Sequence, residues 1–275
     1  MKRTGETWTG MRLAVVGLLL AGVVALVTHA LDTRGDGEPV VGAWSGLSPS
    51  ASSLSPSPEP TPSSASRAEG YSPPDEWTEP ERWALLPQGQ WTDKHGSVVG
   101  FPHTVEGGVA MAVAANTTVM ERGTSIFDEQ MRLYDSYGAP EDRDPVVVEH
   151  VKSVTEKPDR RFEKETGAPA GGPLPAGAYM RSHVIGYKII EAKSDEISLW
   201  VLARATQKNG ELAKESGSYT RTLIGVQWQN GDWKLGPEAT ARALSGTRAQ
   251  EKPPIVAPGD SAFNAAGWTA LREAS

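Results

Sequence analysis

The sequence predicts an α+β domain carried behind an N-terminal transmembrane helix and a disordered Ser/Pro tether. Three features predict it. An uncharged apolar run lies near the N-terminus, a Ser/Pro stretch too polar to bury a core follows it, and beyond residue 167 the apolar spacing changes from helical to alternating.

The run Leu13 to Leu31, LAVVGLLLAGVVALVTHAL, contains no Asp, Glu, Lys or Arg. At roughly 1.5 Å per residue it covers about 28 Å, the thickness of a bilayer core. Lys2, Arg3 and Arg12 precede it, and Asp32, Asp36 and Glu38 outnumber Arg34 just after it. The positive-inside rule then places residues 1–12 in the cytoplasm and the rest outside the cell membrane. A cleaved signal peptide is the alternative, because Thr28-His29-Ala30 forms a small-x-small site that would release a secreted protein after residue 30. Gly17, Ala21 and Ala25 repeat at four-residue spacing, a stripe that would allow two such helices to associate as a homo-oligomer.

Residues 32–74 form the linker. Its centre, Ser45 to Gly70, is Ser/Pro low complexity biased to polyproline II, a spacer reaching several tens of Å. Residues 75–99 are a lead-in in which Trp77, Trp83 and Trp91 recur among acids and prolines. Three indoles in so polar a stretch either dock on the domain that follows or stand exposed as contacts for a partner.

The domain itself is expected over 100–245, with about three helices packed on one face of a curved antiparallel sheet of about four strands. Thr104 caps a helix from Val105 to about Glu121, rich in Ala, Val and Met. His103, in the Gly/Pro turn before it, is either a reactive group at a helix start or part of the turn that aims the helix; the second reading suits a helix that must pack on several sides. Ser125 with Asp128 signals a second helix ending at Gly138. Asp144 and Pro145 open a third, with a break near Pro158. After the loop Gly167 to Ala178 come strands at Tyr179 to Ala192, Ile197 to Gln207 and Tyr219 to Gln229. A short strand Asp232 to Leu235 follows Asn230-Gly231, the strongest local signal of a tight hairpin, which would set Trp228 opposite Trp233. Arg242 to Pro258 reads as irregular. Within the last segment, 246–275, Asp260 caps a short helix bearing Phe263, Trp268 and Leu271, which either docks back or offers Trp268 to a partner.

Composition narrows the chemistry. A net charge of -7 without a sustained Lys/Arg patch argues against nucleic acid as a partner, and zero Cys rules out disulfides, thiolate nucleophiles and Cys-based zinc or iron-sulfur sites. His29, His95, His103, His150 and His183 show no spacing of three or four residues that would set a helical metal motif. There is no G-x-S-x-G elbow and no nucleotide-binding glycine loop. No catalytic, cofactor-binding or metal-binding residue is therefore assigned, and no cofactor is expected.

The order of helices then strands, ending in WQNGDWKL, resembles the nuclear-transport-factor-like cone fold. The segments GQWTDKHGSVV, GFPHTVEGGVAMAVAANT and AAGWTAL resemble a family of single-pass actinobacterial membrane proteins of unassigned function, many of them on mobile elements. The cone domain also resembles the extracytoplasmic domains of bitopic scaffold subunits in conjugation and type IV secretion machines, though the long Ser/Pro tether departs from them. That resemblance implies a membrane-anchored scaffold binding protein partners in the envelope. It equally allows an isomerase- or hydratase-like enzyme, or a small-ligand binder, using the cone cavity. Period two would then place Tyr179, His183 and Tyr187 on one face of the first long strand as cavity lining.

Overall fold

The computed structural model describes residues 75–121, 124–140 and 145–272. The predicted span, its Gly17/Ala21/Ala25 stripe, the tether and the Asp144 cap lie outside the described residues. Among the described residues no helix is long and apolar enough to cross a membrane.

The fold is α+β. In chain order it comprises β1 (Trp83–Ala84), β2 (Trp91–Thr92), β3 (Val98–Val99), α1 (Val105–Ala114), β4 (Thr118–Met120), α2 (Ile126–Tyr137) and α3 (Pro145–Thr166). There follow β5 (Ala178–Ala192), β6 (Glu196–Asn209), β7 (Ser216–Gln229), β8 (Asp232–Leu235), α4 (Pro237–Thr247), α5 (Ser261–Ala265) and β9 (Thr269–Leu271). The main sheet runs β1-β9-β5-β6-β7-β8, with β4 also on β5. Its pairs are antiparallel except β1 with β9, so the sheet is mixed and has seven strands, not the antiparallel sheet of about four that the sequence suggested, because the short β1, β4 and β9 add to the edge of β5.

Local chemistry explains several of these elements. Asn230 (φ 53°) and Gly231 (φ 84°) both take the left-handed conformation that a type I′ turn needs, and Trp228 pairs directly with Trp233. Ser125 and Asp128 complete a capping box at the start of α2. Thr104 accepts from the Gly107 N–H at 3.1 Å and starts α1.

Helix α1 packs on the inner face of the sheet. Val109, Met111 and Ala112 lie against Leu199, Val201, Ile224, Val226 and Trp233. A smaller inner cluster, Met120, Ile126, Phe162, Met180 and Ala205, joins α2 and α3 to the far end of the same face.

Three other sequence expectations are corrected. The first helix stops at Ala114 rather than near Glu121. The Asn116 amide and Thr117 hydroxyl donate back to the Ala112 and Val113 carbonyls, and Thr118–Met120 then pairs with β5. Helix α3 runs through Pro158 without a break. Its buried stripe Val147, Val151, Thr155, Pro158, Phe162 and Thr166 continues across the proline, and packing outweighs the roughly 3 kcal/mol that a proline inside a helix costs through its lost hydrogen bond and ring clash together.

Third, the sheet is covered on both faces, not one. Residues 237–247, expected to be partly irregular, form α4, which lies on the outer face where the Gly225 N–H donates to Thr240 Oγ1 at 2.8 Å. With α5 and the segment around Val256 it buries Trp200, Leu202, Leu223, Phe263 and Trp268.

Candidate partner-binding face

The register of β5 decides where the candidate residues go. Val184 pairs with Ala203 and Gly186 with Leu202, leaving Ile185 as an extra residue in a bulge. A bulge shifts the alternation by one. Tyr179 and His183 therefore stand on the outer face, opposite Lys208 and Arg204, whereas Tyr187 sits opposite Val201 on the inner face and packs against the main core. The expected single face for the three residues is not formed. Burial pushes the Tyr187 phenol above its ordinary pKa.

The outer face has two halves. The half next to β9 is sealed by α4, α5 and the C-terminal segment. The half toward the β6–β7 turn is more open, with His183 from β5 and Arg204 from β6 exposed and Tyr179, Arg181, Lys208 and Tyr219 half-buried beside them; Arg221 from β7 lies at its edge, against the Pro253 carbonyl. Arg181 stacks over the Tyr179 ring at 4.2 Å and pairs with Glu121. The Tyr179 hydroxyl donates to Glu215, which holds the phenol above its usual pKa, and Arg204 reaches the same carboxylate at 3.7 Å.

Arg221 is different. Its guanidinium lies 5.5 Å over the Trp200 ring and donates through Nη1 to the Pro253 carbonyl, while its Nε is buried with no partner. Among the described residues no carboxylate is within ion-pair distance of it. Burial lowers its pKa, the sign of a cation taken out of water without a counter-ion.

The tryptophans separate by role. Trp77 is 64% exposed and its ring lies against Gly259. Trp83 is half-buried against the outer core beneath Arg272, and both indoles donate to the Glu79 carboxylate. Trp91 is 52% exposed and its ring lies on Gly100. Trp268, the fourth proposed contact, is fully buried in the outer core with its indole N–H on the Pro254 carbonyl, so it is not available to a partner. The docked alternative for the last segment is the one that forms.

His103 aims the helix. Its ring lies parallel to Trp228 at 4.0 Å, and Nε2 sits 2.7 Å from Asp195 Oδ1 and 3.0 Å from the Ser194 carbonyl, binding the turn before α1 to the β5–β6 turn. No group of three or more His, Cys, Asp or Glu with metal-binding geometry occurs among the described residues.

Sequence reasoning missed Arg221 and Arg204. Their signal was present in the alternation of β6 and β7, which sets arginines on the face that also bears Tyr219, but the expectation that helices leave the outer face bare gave no reason to weigh those positions. Comparison with family models, with curated proteins and with solved structures finds no match for the chain.

Proposed function

We propose that this protein is a single-pass membrane protein whose cone-like domain stands outside the cell and binds protein partners as a scaffold in an envelope or conjugative-transfer complex. The observation that carries the reading is the placement of the open outer half-face. The lead-in that follows the tether joins the domain beside β9, through the Thr78–Gly259 bridge and the β1–β9 pair. Along β5, Tyr179 lies seven residues from Gly186, where β9 pairs, a separation of about 23 Å at 3.3 Å per residue. A domain held at one end thus offers an arginine- and tyrosine-rich surface at the other, and these residue types are enriched at protein interfaces. The charge-asymmetric flanks of Leu13 to Leu31 supply the topology, and the order of three helices then a sheet supports the cone-like resemblance.

The test combines location and contact. Protease added to intact protoplasts should remove the domain, and a photo-crosslinking residue at His183 should capture protein neighbours while one at buried Trp268 should not. Protection of the domain inside the cell, or no capture from His183, would refute the scaffold reading.

A second reading, a small-ligand binder, draws on one observation. Gln130 Nε2, Gln207 Oε1 and Ser218 Oγ are buried in the interior without hydrogen-bond partners. Gln207 and Ser218 alternate with the inner-face strand residues, and Gln130 lies on the α2 stripe between Ile126 and Leu133. A polar ligand entering at the end of the inner face lined by the smaller cluster would reach Gln207 and Ser218, and protection of the Gln207 side-chain amide on ligand addition would favour this reading.

A further inference from the structure

We infer that the inner face beyond the main core binds a small neutral molecule, apolar in body and carrying a hydroxyl or N–H group that donates to Gln207 Oε1 beside Ser218. This rests on the small-ligand reading and gives that ligand its chemistry.

The strand register brings the two groups together. Thr118, Ser182, Ala205 and Ser218 form one row across β4, β5, β6 and β7, and Met120, Met180, Gln207 and Ser216 form the next. Gln207 and Ser218 are therefore diagonal neighbours on one face, about 7–8 Å apart, within the span of one small molecule. Gln207 is 3% exposed and Ser218 8%, and neither Gln207 Oε1 nor Ser218 Oγ has a hydrogen-bond partner.

The Gln207 amide cannot turn to relieve its oxygen. Its Nε2 donates to Asn209 Oδ1 at 2.7 Å and to Glu165 Oε2 at 3.3 Å, and a flipped amide would set Oε1 against both of these acceptors. An acceptor held out of water and left unpaired carries a penalty that a molecule bringing a donor removes. Ser218 can give or take the second hydrogen bond.

The neighbouring wall is apolar. Met120, Ile126, Phe162, Met180 and Ala205 form it, and Leu174 of the Gly/Pro-rich loop 167–177 packs against them. The sheet presents small side chains at Thr118, Ser182, Ala205 and Ser218, and the two methionines are unbranched and adaptable, so a body the size of one aromatic ring needs only side-chain motion. Glu165, the carboxylate that accepts from Gln207, is already paired with Arg161 at 2.9 Å. A charged ligand would thus lose its water without gaining a counter-ion, and a neutral one is favoured.

The full chain in lipid nanodiscs, labelled with 13C at the methionine ε-methyls, would be titrated with benzyl alcohol, toluene, benzoate and benzylammonium. Benzyl alcohol should shift the Met120 and Met180 signals and leave Met111 of the main core and Met131 of α2 unmoved. Toluene lacks the donor and should bind about tenfold more weakly, and the two ions should produce no shift. Gln207→Met keeps the length of the side chain without its acceptor and should erase the advantage of the alcohol over toluene. Ser218→Ala should leave the melting temperature unchanged, because its hydroxyl has no partner within the protein; this variant keeps the test sound where Gln207→Met disturbs the contacts to Glu165. Equal binding of benzyl alcohol and toluene, indifference to Gln207→Met, or a marked drop in melting temperature for Ser218→Ala would each overturn the inference. Shifts at Met120 and Met180 with benzoate or benzylammonium but none with the alcohol would remove the neutral-donor chemistry and leave the small-ligand reading standing; silence at both methyls with all four probes would remove both.

Discussion

The His103 imidazole lies 4.0 Å from the Trp228 indole with the two planes 8° apart, and Trp233 meets both rings edge-on at 5.8 and 5.6 Å. This stack joins three separate pieces of chain: the turn before α1, the β7–β8 hairpin and, through the hydrogen bond to Asp195, the β5–β6 turn. His103→Ala should lower stability by about 1–2 kcal/mol, from the lost stack and hydrogen bond together. His103→Phe keeps the stack and should recover about half of that. Denaturant unfolding followed by circular dichroism gives both values, and equal losses in the two variants would show that the ring contact contributes nothing.

The buried and exposed tryptophans should respond oppositely. Trp268 is fully buried against Phe263, with ring centroids 6.5 Å apart, and Trp268→Ala should cost about 3–5 kcal/mol. Trp77→Ala and Trp91→Ala remove largely exposed rings and should change stability by no more than about 1 kcal/mol. Melting curves of the three variants decide the matter. A large loss for Trp91→Ala would mean that its cover over Gly100 is a structural contact rather than free surface.

Much of this architecture was legible because its signals are local. Asn230-Gly231, the Ser125/Asp128 box and the Thr104 and Asp260 caps each act within a few residues, and each forms where the sequence places it. What escaped is set over longer distances. The bulge at Ile185 is fixed by how β5 meets β6, and one residue of slip is enough to send Tyr187 to the opposite face from His183. Helix α4 buries Ala239, Thr240, Ala243 and Thr247, side chains too small to give an apolar period. The candidate face follows from both: without the bulge and α4, neither the side bearing Tyr179 nor the extent of open sheet can be drawn.

Asp159 reaches from α3 to cap α2, accepting from the Ile126 and Phe127 N–H groups at 2.6 and 3.2 Å. Burial, the largest influence, pushes its carboxyl above the ordinary Asp value against those two hydrogen bonds, and Glu163 and Asp128 add to the rise. A carboxyl with a raised native pKa binds protons more readily folded than unfolded, so its contribution improves as pH falls through the raised value toward the ordinary value of about 4, and is lost as pH rises again. Asp159→Asn removes the titration. The stability of the native protein relative to Asp159→Asn should therefore grow between neutral and mildly acidic pH. Urea titrations across that range test it, and a difference that shrinks toward acid would contradict it.

Helix α1 packs tightly on the sheet at Gly108, where an added Cβ would fall 2.5 Å from Ile197 Cδ1 and 3.1 Å from the Trp233 ring. Alanine is the better helix former by about 0.5–1 kcal/mol, so on helix propensity alone Gly108→Ala would stabilise. The contact is too short for that gain to prevail, and overpacking a filled core costs about 1–3 kcal/mol. Gly108→Ala should thus be destabilising overall. Ile197→Val deletes the Cδ1 methyl and on its own should cost about 0.5–1.5 kcal/mol. Combined, the two changes should cost less than their sum by more than about 0.5 kcal/mol, because the second makes room for the first. Strict additivity in this double-mutant cycle would assign the obstruction to the Trp233 ring, which is fully buried and has no room to withdraw.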